Sequence, residues 1–296
     1  MNPRPLGPAV SGERFDTGGV NCYTSGQGPP LLLVHTVNAA ASAAEVRPLY
    51  EHYRNTRTVF AIDLPGYGLS RRDDVSYTPR LMTDALHALA EPIRQRCGPQ
   101  PIDALAVSLG CEFLARAADE KPAEYRSLAL VSPTGLSGTR PLRGPPGSTR
   151  RLPGLHGLLS QPLWAASLFR ALTRPGVVRY FLERTWGAKS IDEAMCEYAV
   201  ATARQPGAHH APLHFLGGGL FSNDILDIYE SLTQPVWMCH GVRGDFTDYR
   251  GKHWLEARPN WQTTVFQTGA LPYFEVPGLF VAALDNFLAR DAAPSA

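Results

Sequence analysis

Short, almost wholly apolar runs punctuate the chain, separated by longer stretches in which apolar residues recur at helical spacing. Leu31, Leu32, Leu33 and Val34 stand together, and residues 58–62, 102–107, 128–131 and 236–240 are nearly as apolar. Such runs, bounded by Gly, Pro or Asp, predict strands buried on both faces of a parallel sheet. A further strand is predicted over 263–266. Leu81, Ala85, Leu86, Leu89 and Ile93 mark one amphipathic helix, bent or shortened at Pro92. Leu279, Phe280, Ala283, Leu284, Phe287 and Leu288 mark another, started by Pro277. Gly18-Gly19 predicts a hairpin turn between 14–17 and 20–25. Residues 1–12, rich in Pro and Gly, read as a loose arm.

Strands alternate with helices through most of the chain, which predicts an α/β fold with a mainly parallel twisted sheet and helices on both faces. The rhythm breaks between 135 and 233. That stretch opens with Gly, Pro and Arg and continues in runs rich in Leu, Trp and Phe. It reads as a helical cap inserted into one core domain, with 1–134 and 234–296 as the two core parts, folding over the C-terminal ends of the strands where ligands bind in open α/β sheets. From Thr139 to Thr185 it carries eight arginines (140, 143, 150, 151, 170, 174, 179 and 184) against one acid, Glu183. They read either as a solvated face or as an entrance favouring anionic or lipid-like molecules.

A net charge of +1 with 19% charged residues gives no reason to expect nucleic acid as a partner. No run approaches the roughly 18 apolar residues of a membrane span, and no apolar leader stands at the N-terminus, so a cytoplasmic protein is expected. Cys22, Cys97, Cys111, Cys196 and Cys239 lack zinc-like spacing and are expected to be buried free thiols. Gly66-Tyr67-Gly68 does not continue into a dinucleotide fingerprint and no phosphate-binding P-loop is present, so no cofactor is implied.

The chain is organised around 101–118, PIDALAVSLGCEFLARAA. Residues 102–107 predict a strand and 109–118 a helix, leaving Ser108 at the sharp turn between them. That is the outline of a nucleophile elbow, with Ala106-Val107-Ser108-Leu109-Gly110 departing mildly from G-x-S-x-G. A hydroxyl there lies beside unpaired N–H groups of a helix N-terminus, which can stabilise an oxyanion.

Four segments together resemble the α/β-hydrolase superfamily across nearly the whole chain: LLLVH with Thr36-Val37-Asn38 as the oxyanion loop, DLPGYGLS at 63–70, the AVSLG elbow, and PVWMCHGVRGDFTD at 235–248 as the strand and loop of the triad acid. The resemblance implies Ser108 as nucleophile, Asp245 as acid with Asp248 as the alternative, and an oxyanion hole from the backbone N–H of Leu109 and of Thr36 or Val37. Ser70 reads as a structural turn residue. The family's histidine, in a segment resembling Gly-His-x-Pro-x-x-Glu, aligns with Gly269-Ala270-Leu271-Pro272-Tyr273-Phe274-Glu275, so the base position holds Ala270.

Alanine cannot accept a proton. Ala270 is either a substitution made to trap a ligand, a natural divergence, or a loss met by a base from elsewhere; His35-Thr36, Ala106 and the longer acid loop favour divergence. Candidate replacement bases are His35, His240 and Glu112, and a mobile cap could bring down His209, His210 or His214. Three functions follow. The first is a cofactor-independent hydrolase acting through Ser108 on a small to medium hydrophobic ester, thioester or ketone-type substrate. The others are a pseudo-hydrolase that holds an apolar ligand, and a lyase or cyclase that does not need the serine.

Overall fold

The computed structural model describes residues 6–290. Eight strands form one sheet: β1 (Glu13–Asp16), β2 (Asn21–Ser25), β3 (Pro30–Val34), β4 (Thr58–Ile62), β5 (Ile102–Val107), β6 (Tyr125–Val131), β7 (Val236–His240) and β8 (Trp261–Val265). Their order is β1-β2-β4-β3-β5-β6-β7-β8. β1 and β2 form the expected antiparallel hairpin, and β3 to β8 run parallel. The predicted mainly parallel sheet is thus observed, with an antiparallel edge.

The helices are α1 (Arg47–Tyr53), α2 (Pro79–Cys97), α3 (Gly110–Glu120), α4 (Leu155–Leu159), α5 (Ala165–Leu172), α6 (Pro175–Trp186), α7 (Glu193–Ala203), α8 (His210–Leu216), α9 (Ile225–Ser231), α10 (His253–Glu256), α11 (Pro272–Glu275) and α12 (Pro277–Arg290). Strand periodicity divides the core in two. Leu32, Val34, Phe60, Ile62, Ala104, Ala106, Leu128, Leu130 and Met238 pack against α2, α3 and α9 on one face. Leu31, Leu33, Val59, Ala61, Leu105, Val107, Ala129, Val131 and Trp237 pack against α1 and α12 on the other. Both faces are covered, which is why the central strands are apolar at nearly every position.

Two expectations are corrected. α2 is not shortened at Pro92 but continues to Cys97. The carbonyl that Pro92 leaves unpaired belongs to Ala88, on the exposed face where water can satisfy it. The N-terminal arm is not loose over its described part: Ala9 and Val10 are buried, the Ala9 N–H donates to the Tyr23 hydroxyl at 3.2 Å, and Tyr198 donates to the Gly7 carbonyl at 2.8 Å. Residues 1–5 lie outside the described part. All five cysteines are free thiols, four buried and Cys97 half-buried.

β3 pairs with β4 on one side and β5 on the other. The chain therefore reverses its direction of travel across the sheet between β3 and β5, and the crevice beyond their C-terminal ends is where such sheets bind ligands. α4 to α9 all fall between β6 and β7.

Candidate active site

Ser108 follows β5 directly and has φ +52°, a left-handed conformation uncommon outside glycine. Its N–H donates to the Val131 carbonyl at 2.8 Å, which ties the turn to the neighbouring strand. A backbone held in so sparsely populated a region marks a site where surrounding structure enforces it. Gly110 allows the turn to sit close under the loop after β3: a Cβ there would collide with the His35 carbonyl oxygen. The DLPGYGLS segment supports the same loop from the side. Asp63 accepts hydrogen bonds from Tyr23, Asn21, Ala43 and Leu69, and Ser70 donates to the Asp63 carbonyl, so Ser70 is a buried turn residue as read from sequence.

Ser108 opens into a cavity of about 330 Å³ at the C-terminal ends of the parallel strands. Thr36, Val37 and Asn38 line it from the loop after β3, Leu109 from the start of α3, Ser132 to Ser137 from the end of β6, and Ala270 and Leu271 from the segment after β8. Arg150, Leu182, Thr185, Met195, Phe215 and Phe221 close it from the helical segment between β6 and β7. Among the described residues, the Ser108 hydroxyl and the N–H groups of Val37 and Leu109 have no protein partner. Ala270 is 5% exposed and fixed at both ends, its N–H donating to Thr185 O at 2.9 Å and its carbonyl accepting from Ser132 Oγ at 2.7 Å.

Thr36 cannot offer its amide to an oxyanion, because that N–H donates to Glu45 Oε2 at 3.0 Å. Of the two amides considered for this loop, only that of Val37 is available. Glu45 lies on the turn Ala43–Val46, and its other oxygen accepts from Asn38 Nδ2 at 2.8 Å. Asp63 and Tyr273 hold the turn, through the Ala43 N–H and the Glu45 carbonyl. Burial pushes the Glu45 carboxyl up to about 8 against the opposing pull of the Asn38 side chain and the Thr36 N–H, so it is largely protonated at neutral pH. Glu45 lines the same cavity as Ser108 and was not singled out from the sequence. The available signal was a lone acid inside the otherwise small and apolar run 39–46.

The three proposed replacement bases are not placed for that role. His35 is buried, its Nδ1–H donates to the Thr36 carbonyl, and its Nε2 accepts the Leu64 N–H at 3.0 Å. Burial depresses its basicity, and both nitrogens are committed to the loop. His240 donates to the Gly241 carbonyl at 2.8 Å, faces Lys252 Nζ at 3.4 Å and stacks on Tyr249 with ring centroids 4.1 Å apart. Glu112 accepts from Thr134 Oγ1 at 2.6 Å and from the Ser222 N–H at 2.8 Å, and lies behind the cavity lining. The helical turn from Ser108 carries it to a buried junction rather than into the cavity.

His209, His210 and His214 are also absent from the cavity lining. His210 faces Asp74 at 3.3 Å, and His214 packs against His156 with ring centroids 3.7 Å apart. Burial, then His156 and Arg151, lower His214 to about 4. No group of three or more possible ligands is placed to hold a metal among the described residues. Asp245 does line the cavity, on an exposed loop, with its carboxylate held by Arg184 of α6. Asp248 is held by Arg250 at 2.7 Å and accepts the Gly138 N–H at 3.0 Å.

Strand order, the turn at Ser108 and the crevice above the parallel strands define an α/β-hydrolase scaffold. The α/β hydrolase family profile matches residues 31–284, and the chain belongs to that family. Its structure is similar to that of an epoxide hydrolase, at 20% identity and TM-score 0.72, covering 95% of this chain and 99% of the other. A serine hydrolase of carbazole degradation matches with 16% identity and TM-score 0.71, over 94% and 98%. A meta-cleavage product hydrolase of Pseudomonas fluorescens matches with 15% identity and TM-score 0.70, also over 94% and 98%. These likenesses establish the fold. Comparison with curated proteins finds no sequence match. No helix among the described residues is long and apolar enough to cross a membrane.

Proposed function

We propose that this protein acts through Ser108 on a small to medium hydrophobic carbonyl compound, an ester, thioester or ketone-type substrate, with the imidazole base of its family absent. The observation that carries this reading is the Ser108 hydroxyl, unpartnered in a largely apolar cavity beside the unpaired amides of Leu109 and Val37. In this reading the strand–turn–helix is a nucleophile elbow, the two amides receive the oxyanion of the tetrahedral intermediate, and 135–233 is the cap that excludes water. Glu45 is the cavity's only carboxyl not held by an arginine among the described residues; both its oxygens fasten the loop after β3, so it shapes the oxyanion loop and does not replace the missing base. Hydrolysis without the imidazole is slow, since the oxyanion hole and binding retain only about 10³–10⁴ of rate over water when a triad member is lost.

A second reading, a pseudo-hydrolase that holds its ligand without turnover, is favoured by Ala270 standing on the cavity wall while neither His35 nor His240 has a free ring nitrogen. An alkyl fluorophosphonate separates the two. The first reading expects covalent labelling at Ser108, located by mass spectrometry and lost in Ser108→Ala. Saturable binding of an apolar ligand with a thermal shift, and no covalent label, would establish the second.

A further inference from the structure

Four charged residues line the cavity: Glu45, Arg150, Asp245 and Asp248. Asp245 is paired with Arg184 and Asp248 with Arg250, while burial favours the neutral form of Glu45. Arg150 is different. Its Nε is buried with no hydrogen-bond acceptor, and among the described residues the guanidinium makes no hydrogen bond or ion pair. It lies over the Phe221 ring, with Cζ 5.7 Å from the ring centroid. Glu112 attracts it through space without bonding it, and burial favours the neutral form of Glu112 as well.

The residue is held firmly for one so poorly paired. Its N–H donates to the Phe221 carbonyl at 2.9 Å, Thr149 bridges Ser222 in antiparallel fashion, and Gly218 packs against its carbonyl. A guanidinium left without an acceptor on an apolar wall is costly unless something completes it. Four arginines of the same basic stretch answer solvent-side partners instead: Arg143 pairs with Asp227 and Glu230, Arg179 with Glu193, Arg184 with Asp245, and Arg170 with Ser167.

We propose that Arg150 is the receptor for a carboxylate on the substrate, so that the molecule placed over Ser108 is an apolar acid carrying a carbonyl group. This rests on the Ser108 cavity as the substrate site and adds the class of substrate. A carboxylate matches the two-donor edge of a single guanidinium. A phosphate dianion would call for further cations, and Arg150 is the only cationic residue on this cavity wall among the described residues. The apolar body of the substrate lies against Phe215, Phe221, Leu182 and Met195.

The test compares binding of 4-phenylbutyrate and 4-phenylbutan-1-ol, which share a body and differ in charge, to the full chain by calorimetry. The acid is expected to bind about tenfold or more tightly than the alcohol, the scale of a hydrogen bond to a charged group. Arg150→Met should abolish that preference with little change for the alcohol, and Arg150→Lys should recover part of it. Equal binding of acid and alcohol to the wild type, binding of neither, or a preference that survives in folded Arg150→Met would overturn the proposal. If Arg150→Met fails to fold, the wild-type comparison decides. Fluorophosphonate labelling of Ser108 needs no carboxylate, so failure of the Arg150 assignment is distinguishable from failure of the Ser108 reading.

Discussion

Glu45 accepts the backbone N–H of Thr36 at 3.0 Å, so the loop after β3 is fastened to a buried acid instead of presenting a row of free amides. Burial raises this carboxyl from 4.5 to about 8, and the folded protein therefore holds a proton that the unfolded chain releases. Its contribution to stability is fully present below about pH 4.5 and is lost as pH rises towards 8. Urea denaturation across that window should show wild-type stability falling more steeply than that of Glu45→Gln, by on the order of a few kcal/mol in total. Parallel slopes would mean that Glu45 titrates normally.

Gly110 lies where a Cβ would strike the His35 carbonyl oxygen. Gly110→Ala should lose about 1–3 kcal/mol, the usual penalty for overpacking, and should slow fluorophosphonate labelling by displacing the Val37 amide. A variant with unchanged denaturation midpoint and labelling rate would show that the loop gives way freely.

Arg184 holds the Asp245 carboxylate at the protein surface, with the two side chains 48% and 38% exposed. An ion pair this exposed contributes little, so Arg184→Gln should leave the denaturation midpoint nearly unchanged. Combined with Ala270→His, the same change should raise esterase activity above that of Ala270→His alone, because Asp245 is freed to orient the new imidazole. Equal rates would assign the acid elsewhere.

Much of this molecule was legible because its determinants are local. Leu31 to Val34 and 102–107 are apolar at every or nearly every position, and both are central strands covered on two faces. Ser108 announced itself through a strand, a small-residue turn and a helix in immediate succession. The rest depended on tertiary neighbours. His35 looked available until Leu64 and Thr36 took both its nitrogens. Arg150 was one of eight similar arginines, and only the fold shows that it faces the cavity without an acceptor. Pro92 is tolerated because Ala88, whose carbonyl it orphans, lies on the exposed side of α2.

The central claim is that the cavity retains a working nucleophile and oxyanion amides and lacks one imidazole. Hydrolysis of graded p-nitrophenyl esters by the wild type, Ala270→His and Ala270→His/Ser108→Ala tests it most directly. The account predicts a gain of about 10² or more in kcat/KM for Ala270→His, lost again when Ser108 is removed. No gain in a folded Ala270→His protein, or a gain that survives Ser108→Ala, would contradict it.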